Sequence, residues 1–167
     1  MKTIETIVEE CIPISVQTIL KESGIQISEH TDEKLHFGII AVIGFSGHKL
    51  GGALGFAAEE SILIEGYGEA NTPLSDGWVG EIANQLLGRL KNALLAYGVE
   101  VQIAIPMVLH GLNLQVSGKS AQIKQFKYSS KFGNTCVWVD ANWDMKKERN
   151  EVEADQHAKA EGDMMLF

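Results

Sequence analysis

Two apolar, glycine-rich runs, Leu35 to Phe45 and Leu50 to Phe56, separated only by Ser46-Gly-His-Lys49, constrain this chain more than any other feature. A polar turn of about four residues between two runs of strand length is the pattern of a β-hairpin. Near-continuous apolarity, in place of strict alternation, predicts that these strands are buried on both faces. The longest such run, Phe37 to Phe45, is nine residues and is punctuated by Gly38 and Gly44. Spanning a bilayer takes about 20 apolar residues, so the run reads as a buried strand and not as a membrane anchor. With 167 residues, 45% of them hydrophobic, one domain with a full core is the expectation.

A long amphipathic helix follows. At about 100° per residue, Val79 to Tyr97 divides into a core arc of Val79, Ile82, Ala83, Leu86, Leu87, Leu90, Ala93 and Leu94, and a polar arc of Glu81, Asn84, Gln85, Gly88, Lys91 and Asn92. Glu81 and Asn84, three apart, project together. Gly88 is unusual on a solvated arc, because glycine there costs about 1 kcal/mol relative to alanine. A missing side chain lets a partner come close. Against this, Gly88 packing on a strand of its own chain and Lys91 merely favouring the carboxyl half of the helix dipole are the plainer readings. Ser75 or Asp76 is the expected cap, and Gly98 the left-handed stop. Trp78 either covers the core or braces a partner.

Around these elements, Ile4 to Glu22 reads as an N-terminal helix that Pro13 is expected to bend or break. Ala58 to Ile64 reads as a short helix, followed by a loop from Gly66 to Asp76. Val99 to Ile105, His110 to Val116, Ser120 to Tyr128 and Cys136 to Trp143 read as strands, with Ser117-Gly118 and Lys131-Phe-Gly-Asn134 as turns. Glu9 to Val16 faintly repeats the pattern of Gly80 to Leu87, with Pro13 in the place of Asn84, so one site per chain is expected. The composition turns charged and small-residue-rich from Asp144 onward. Residues 1–143 are therefore taken as the domain and 144–167 as a tail, whose closing Asp163-Met-Met-Leu-Phe167 is a docking peptide, a segment folded back, or disordered.

Charge removes several function classes. Fourteen basic against 22 acidic residues, net −8, lacks the basic surface that phosphate-backbone binding requires, so no nucleic-acid partner is expected. Cys11 and Cys136 are too few and too far apart for a disulfide framework or a four-ligand zinc site, and with no signal-peptide pattern read before them a reducing, cytoplasmic setting is the expectation. The five histidines show no ligand spacing, so no metal is assigned. Gly51-Gly-Ala-Leu-Gly55 lacks the Gly-Lys-Ser/Thr ending of a P-loop, and no serine sits in Gly-x-Ser-x-Gly.

The order Glu81-x-x-Asn84-x-x-x-Gly88-x-x-Lys91, then a strand leading into Pro106-Met-Val-Leu-His-Gly111, resembles the CheC/CheX/FliY family of bacterial chemotaxis phosphatases, and its single motif is most similar to the CheX branch. The resemblance spans roughly Leu35 to Trp143. It implies an α/β (α+β) fold, with a mainly antiparallel sheet packed by the N-terminal and motif helices. It also implies a homodimer and a phosphatase acting on the aspartyl phosphate of a CheY-type receiver domain in chemotaxis or related two-component signalling. No cofactor is expected on this chain; Mg²⁺ is expected in the receiver. One departure is that the Asp or Ser often found four residues before the glutamate is here Gly77, with Asp76 one position earlier.

Such a reaction needs chiefly an ordered water, since the receiver supplies the cation and a lysine. By the resemblance, Asn84 orients that water, its amide accepting one hydrogen bond and donating another to a phosphoryl oxygen. Glu81 pairs with the receiver's lysine and anchors the helix. Gln85, Gly88, Lys91, Asn92 and the out-of-pattern Leu95 are the expected partner contacts. The competing expectation is a non-catalytic dimeric adaptor that binds a receiver or a flagellar-switch component through the same helix.

Overall fold

The computed structural model describes residues 2–30, 34–48, 50–68, 73–116 and 123–142. The glycine-rich hairpin forms as the sequence predicts. Strands β2 (Phe37–Ser46) and β3 (Gly51–Ala58) pair antiparallel from Ile39↔Ala58 to Ser46↔Gly51. They lie inside a seven-stranded sheet ordered β1-β6-β7-β3-β2-β4, with β5 also on β2 and every pairing antiparallel. The other strands are β1 (Ser28–Glu29), β4 (Gln102–Ile103), β5 (Met107–Leu114), β6 (Ile123–Ser130) and β7 (Gly133–Ala141). Three helices complete the described chain: α1 (Ile4–Glu22), α2 (Glu60–Tyr67) and α3 (Pro73–Leu95).

Burial on both faces of the hairpin has two sources. Ile39, Ala41, Ile43 and Phe45 of β2 and Leu54, Phe56 and Ala58 of β3 join the main core beneath α1 and α3. On the opposite face Phe37, Ile40, Ala57 and Cys136 form a smaller cluster, with Leu35, Val42, Leu114 and Val116 packed against it. Period-2 alternation sends neighbouring residues to opposite faces, and the irregularity between Phe37 and Ile39 lets Phe37 join the smaller cluster; here both faces are apolar. Gly55 lets a ring approach, since a Cβ there would overlap the Trp138 indole.

α1 runs through Pro13 without the break that was one of the two expectations there. Ile12, Val16, Ile19 and Leu20 are all buried on its inner side, and their packing outweighs the one hydrogen bond a proline removes. The Thr3 side chain accepts from Thr6 N–H at the start. At the end Gly24 turns left-handed (φ 78°) and Ile25 N–H closes on the Leu20 carbonyl at 2.9 Å. Lys124 of β6 holds Glu5 and Glu9 of α1, the latter at 3.0 Å, which fastens the helix to the sheet.

α3 also starts earlier than expected. Ser75 and Asp76 lie inside it, and the expected Gly66 to Asp76 loop is shorter at both ends, since α2 reaches Tyr67 and α3 begins at Pro73. The Trp78 ring lies against Gly66 of α2 and on the main core, so it braces this chain's own helix pair. The stop is as predicted: Gly98 has φ 75° and Val99 N–H bonds the Leu94 carbonyl at 3.1 Å. The expected strand Val99 to Ile105 is reduced to Gln102–Ile103. The Ser117-Gly118 turn and the tail from Asp144 lie outside the described residues.

Candidate functional site

The core arc of α3 is buried almost throughout: Val79, Ile82, Ala83, Leu86, Leu87, Leu90 and Leu94 are each no more than 2% exposed. That burial fixes the rotation of the helix and turns the other arc outward. Glu81, Asn84, Gln85, Asn92 and Leu95 are exposed, and Gly88 and Lys91 are partly so. All seven predicted site residues therefore share one outward stripe, about 120° wide at 100° per residue. Gln85 Nε2 donates to Glu81 Oε1 at 3.0 Å, which holds the carboxylate over the stripe.

The ground on either side of the pair is low. Gly77 lies four residues before Glu81 and Gly88 four after Asn84, and at each a Cβ would meet nothing within 4 Å among the described residues. Gly88 is thus not packed against a strand of its own chain. A flat or convex surface can reach the Glu81 carboxylate and the Asn84 amide without displacing a neighbour.

Beside the pair is an open depression of about 460 Å³, lined by Asp76, Gly77, Gly80, Glu81, Asn84, Pro106 and Val108. Its floor is the contact of α3 with the start of β5, where a Cβ on Gly80 would stand 3.6 Å from Pro106 and 3.7 Å from Val108. At one end His110 Nε2 of β5 donates to Asp76 Oδ1 at 2.7 Å. From the sequence alone His110 is only a strand residue and Asp76 only a cap. No local signal relates positions 34 apart, and only β5 crossing beneath α3 brings them together.

Among the described residues no group of three His, Cys, Asp or Glu side chains is arranged to hold a metal. His30 Nδ1 meets Ser129 Oγ at 2.5 Å, and His36 meets the Gln115 amide; His157 lies outside the described residues. No described helix is long and apolar enough to cross a membrane.

The family model described as Chemotaxis phosphatase CheX matches residues 39–127, more than half of the chain. Solved structures share the fold. The chemotaxis protein CheX from Vibrio vulnificus is 21% identical, with 81% of this chain and 96% of that chain covered and a TM-score of 0.71. A CheC-like superfamily protein from Shewanella is 23% identical, with 81% and 97% covered and a TM-score of 0.69. A chain of the CheX-CheY-BeF3-Mg²⁺ complex from Borrelia burgdorferi is 16% identical, with 82% and 96% covered and a TM-score of 0.62. No curated protein matches the sequence.

Proposed function

This chain belongs to the chemotaxis phosphatase CheX family, and from that premise we propose that it hydrolyses the aspartyl phosphate of a CheY-type response regulator. The observation that carries the reading is the exposed Glu81 and Asn84 pair on α3, flanked by open ground at Gly77 and Gly88. The structural neighbour crystallised with CheY and Mg²⁺ supports a receiver as the partner.

In this reading α3 lies against the receiver's phosphorylation site. Asn84 accepts a hydrogen bond from the attacking water and donates one to a phosphoryl oxygen, placing the water in line with the scissile bond. The water oxygen bonds to phosphorus, the bond to the receiver's aspartyl oxygen breaks, and that carboxylate leaves with the electron pair. The water's proton passes to the inorganic phosphate. Glu81 pairs with the receiver's lysine and sets how deep Asn84 enters, while Gln85, Gly88, Lys91, Asn92 and Leu95 form the rest of the contact. The receiver's Mg²⁺ offsets charge on the phosphoryl group.

A homodimer belongs to the same proposal. Among the described residues β5 pairs only with β2, leaving its other edge open; Leu112 of β5 is 96% exposed, Met107 and Leu109 are also exposed, and Ile105 just before the strand is 90% exposed. An open apolar edge strand is a template for pairing with a second copy. Residues 1–143 are taken as the catalytic unit; removing 144–167 is expected to raise the apparent KM and leave kcat unchanged.

The deciding experiment follows the decay of a phosphorylated CheY-type receiver with Mg²⁺ and a small substoichiometric amount of this protein. Wild type is expected to turn over many equivalents. Asn84→Ala is expected to lose about 100-fold or more in kcat with binding retained, and Glu81→Ala to lose both binding and turnover. Decay that wild type does not accelerate, with a stoichiometric complex still formed, would establish the adaptor instead.

A further inference from the structure

Asp76 stands five residues before Glu81, which turns it about 140° away around the helix, whereas a residue four before is turned only about 40°. The shift moves the acid off the Glu81 face and onto the face of Gly80, which rests on Pro106 and Val108. There it accepts the 2.7 Å hydrogen bond from His110. The two side chains are 36% and 38% exposed, and a pair so exposed adds at most about 1 kcal/mol to the fold.

Its place says more than its strength. The C-terminal half of α3 is locked by buried Leu86, Leu87, Leu90 and Leu94. Nearer its start Val79, Ile82 and Ala83 also seat the helix on the core, but the side facing β5 carries Gly80, which offers no side chain there, and the outward stripe carries Gly77. The Asp76–His110 hydrogen bond supplies a lateral hold two turns from Asn84, at the end of the depression that Asn84 and Glu81 line.

We propose that Asp76 and His110 are a positioning pair, fixing the first turns of α3 on β5 so that Asn84 and Glu81 meet the phosphoryl group at a set angle and depth. The inference rests on the reading that these two residues carry the reaction.

The test combines receiver-dephosphorylation kinetics with amide hydrogen exchange for Asp76→Ala, His110→Ala, the double variant and His110→Gln. Each alanine variant is expected to lower kcat about tenfold while KM moves less than about twofold. The double variant should be no worse than either single one, as for two residues acting as a unit. His110→Gln, whose amide still donates to Asp76, should recover most of the loss. The thermal midpoint should stay within about 2 °C, because the pair is exposed, and exchange over residues 77–84 should rise. Unchanged kcat in both single variants, losses that multiply in the double, or exchange that does not rise would each overturn the pair's role. A wild type without activity, with exchange still raised in the variants, would sink the phosphatase reading while leaving the tie of α3 to β5 standing.

Discussion

Glycine on the exposed arc of a helix gives up about 1 kcal/mol relative to alanine, and α3 carries two of them, on either side of Glu81 and Asn84. Since a Cβ at Gly88 meets nothing within 4 Å, Gly88→Ala is expected to stabilise the protein by up to about 1 kcal/mol, read from the denaturant midpoint. Gly88→Leu should keep most of that gain and raise KM for the phosphorylated receiver about tenfold, about 1.4 kcal/mol of lost contact. An unchanged KM in the Gly88→Leu variant would show that the partner does not approach there. Glu81, Asn84 and Gly88 were legible because they lie within one helix, where spacing fixes direction. The Pro106 to Gly111 segment was legible only as part of the recognised pattern; the nearness of Pro106, Val108 and His110 to α3 was not, because it depends on which strand passes beneath the helix.

Among the elements, α1 illustrates tertiary packing overriding a local rule. Pro13 removes a backbone donor within a helix whose buried side keeps it continuous. Pro13→Ala is expected to raise stability by about 1–2 kcal/mol, less than the full intrinsic cost because proline also restrains the unfolded chain; a lower thermal midpoint would contradict this account. The opposite case is Gly55 in β3. A methyl group there would overlap the Trp138 ring, so Gly55→Ala should cost about 1–3 kcal/mol and shift the tryptophan fluorescence. The expected strand Val99 to Ile105 dwindled to Gln102–Ile103 because the chain pairs with Phe45 and Ser46, then shifts through Pro106 to pair again along β2 as β5. Its β-branched residues were visible in the sequence; the change of register was not.

For the molecule as a whole, alkaline pH probes how tightly the two clusters are closed. Burial pushes the Cys136 thiol from 9.0 to about 12 and the Tyr128 phenol from 10.0 to about 12. Each group keeps its proton in the fold at a pH where the unfolded chain has released it, so the unfolded state binds fewer protons. Stability is therefore fully present below about pH 9 and falls as pH rises toward 12. The thermal midpoint should drop across that window, and Cys136→Val should flatten the part of the drop that begins near pH 9. A slope identical in wild type and variant would show that the thiol is not sealed in the smaller cluster.

The buried hairpin, the rotation of α3, its glycine stop and the outward grouping of Glu81, Asn84 and Gly88 could all be read from the order of residues. Each follows from local periodicity or from the conformational freedom of one residue. The passage of α1 through Pro13, the seating of Trp78 on α2, the division of the hairpin's burial into two clusters and the meeting of Asp76 with His110 emerged only in three dimensions. Those depend on contacts between residues far apart in the chain, whose free energy exists only once the sheet has brought them together.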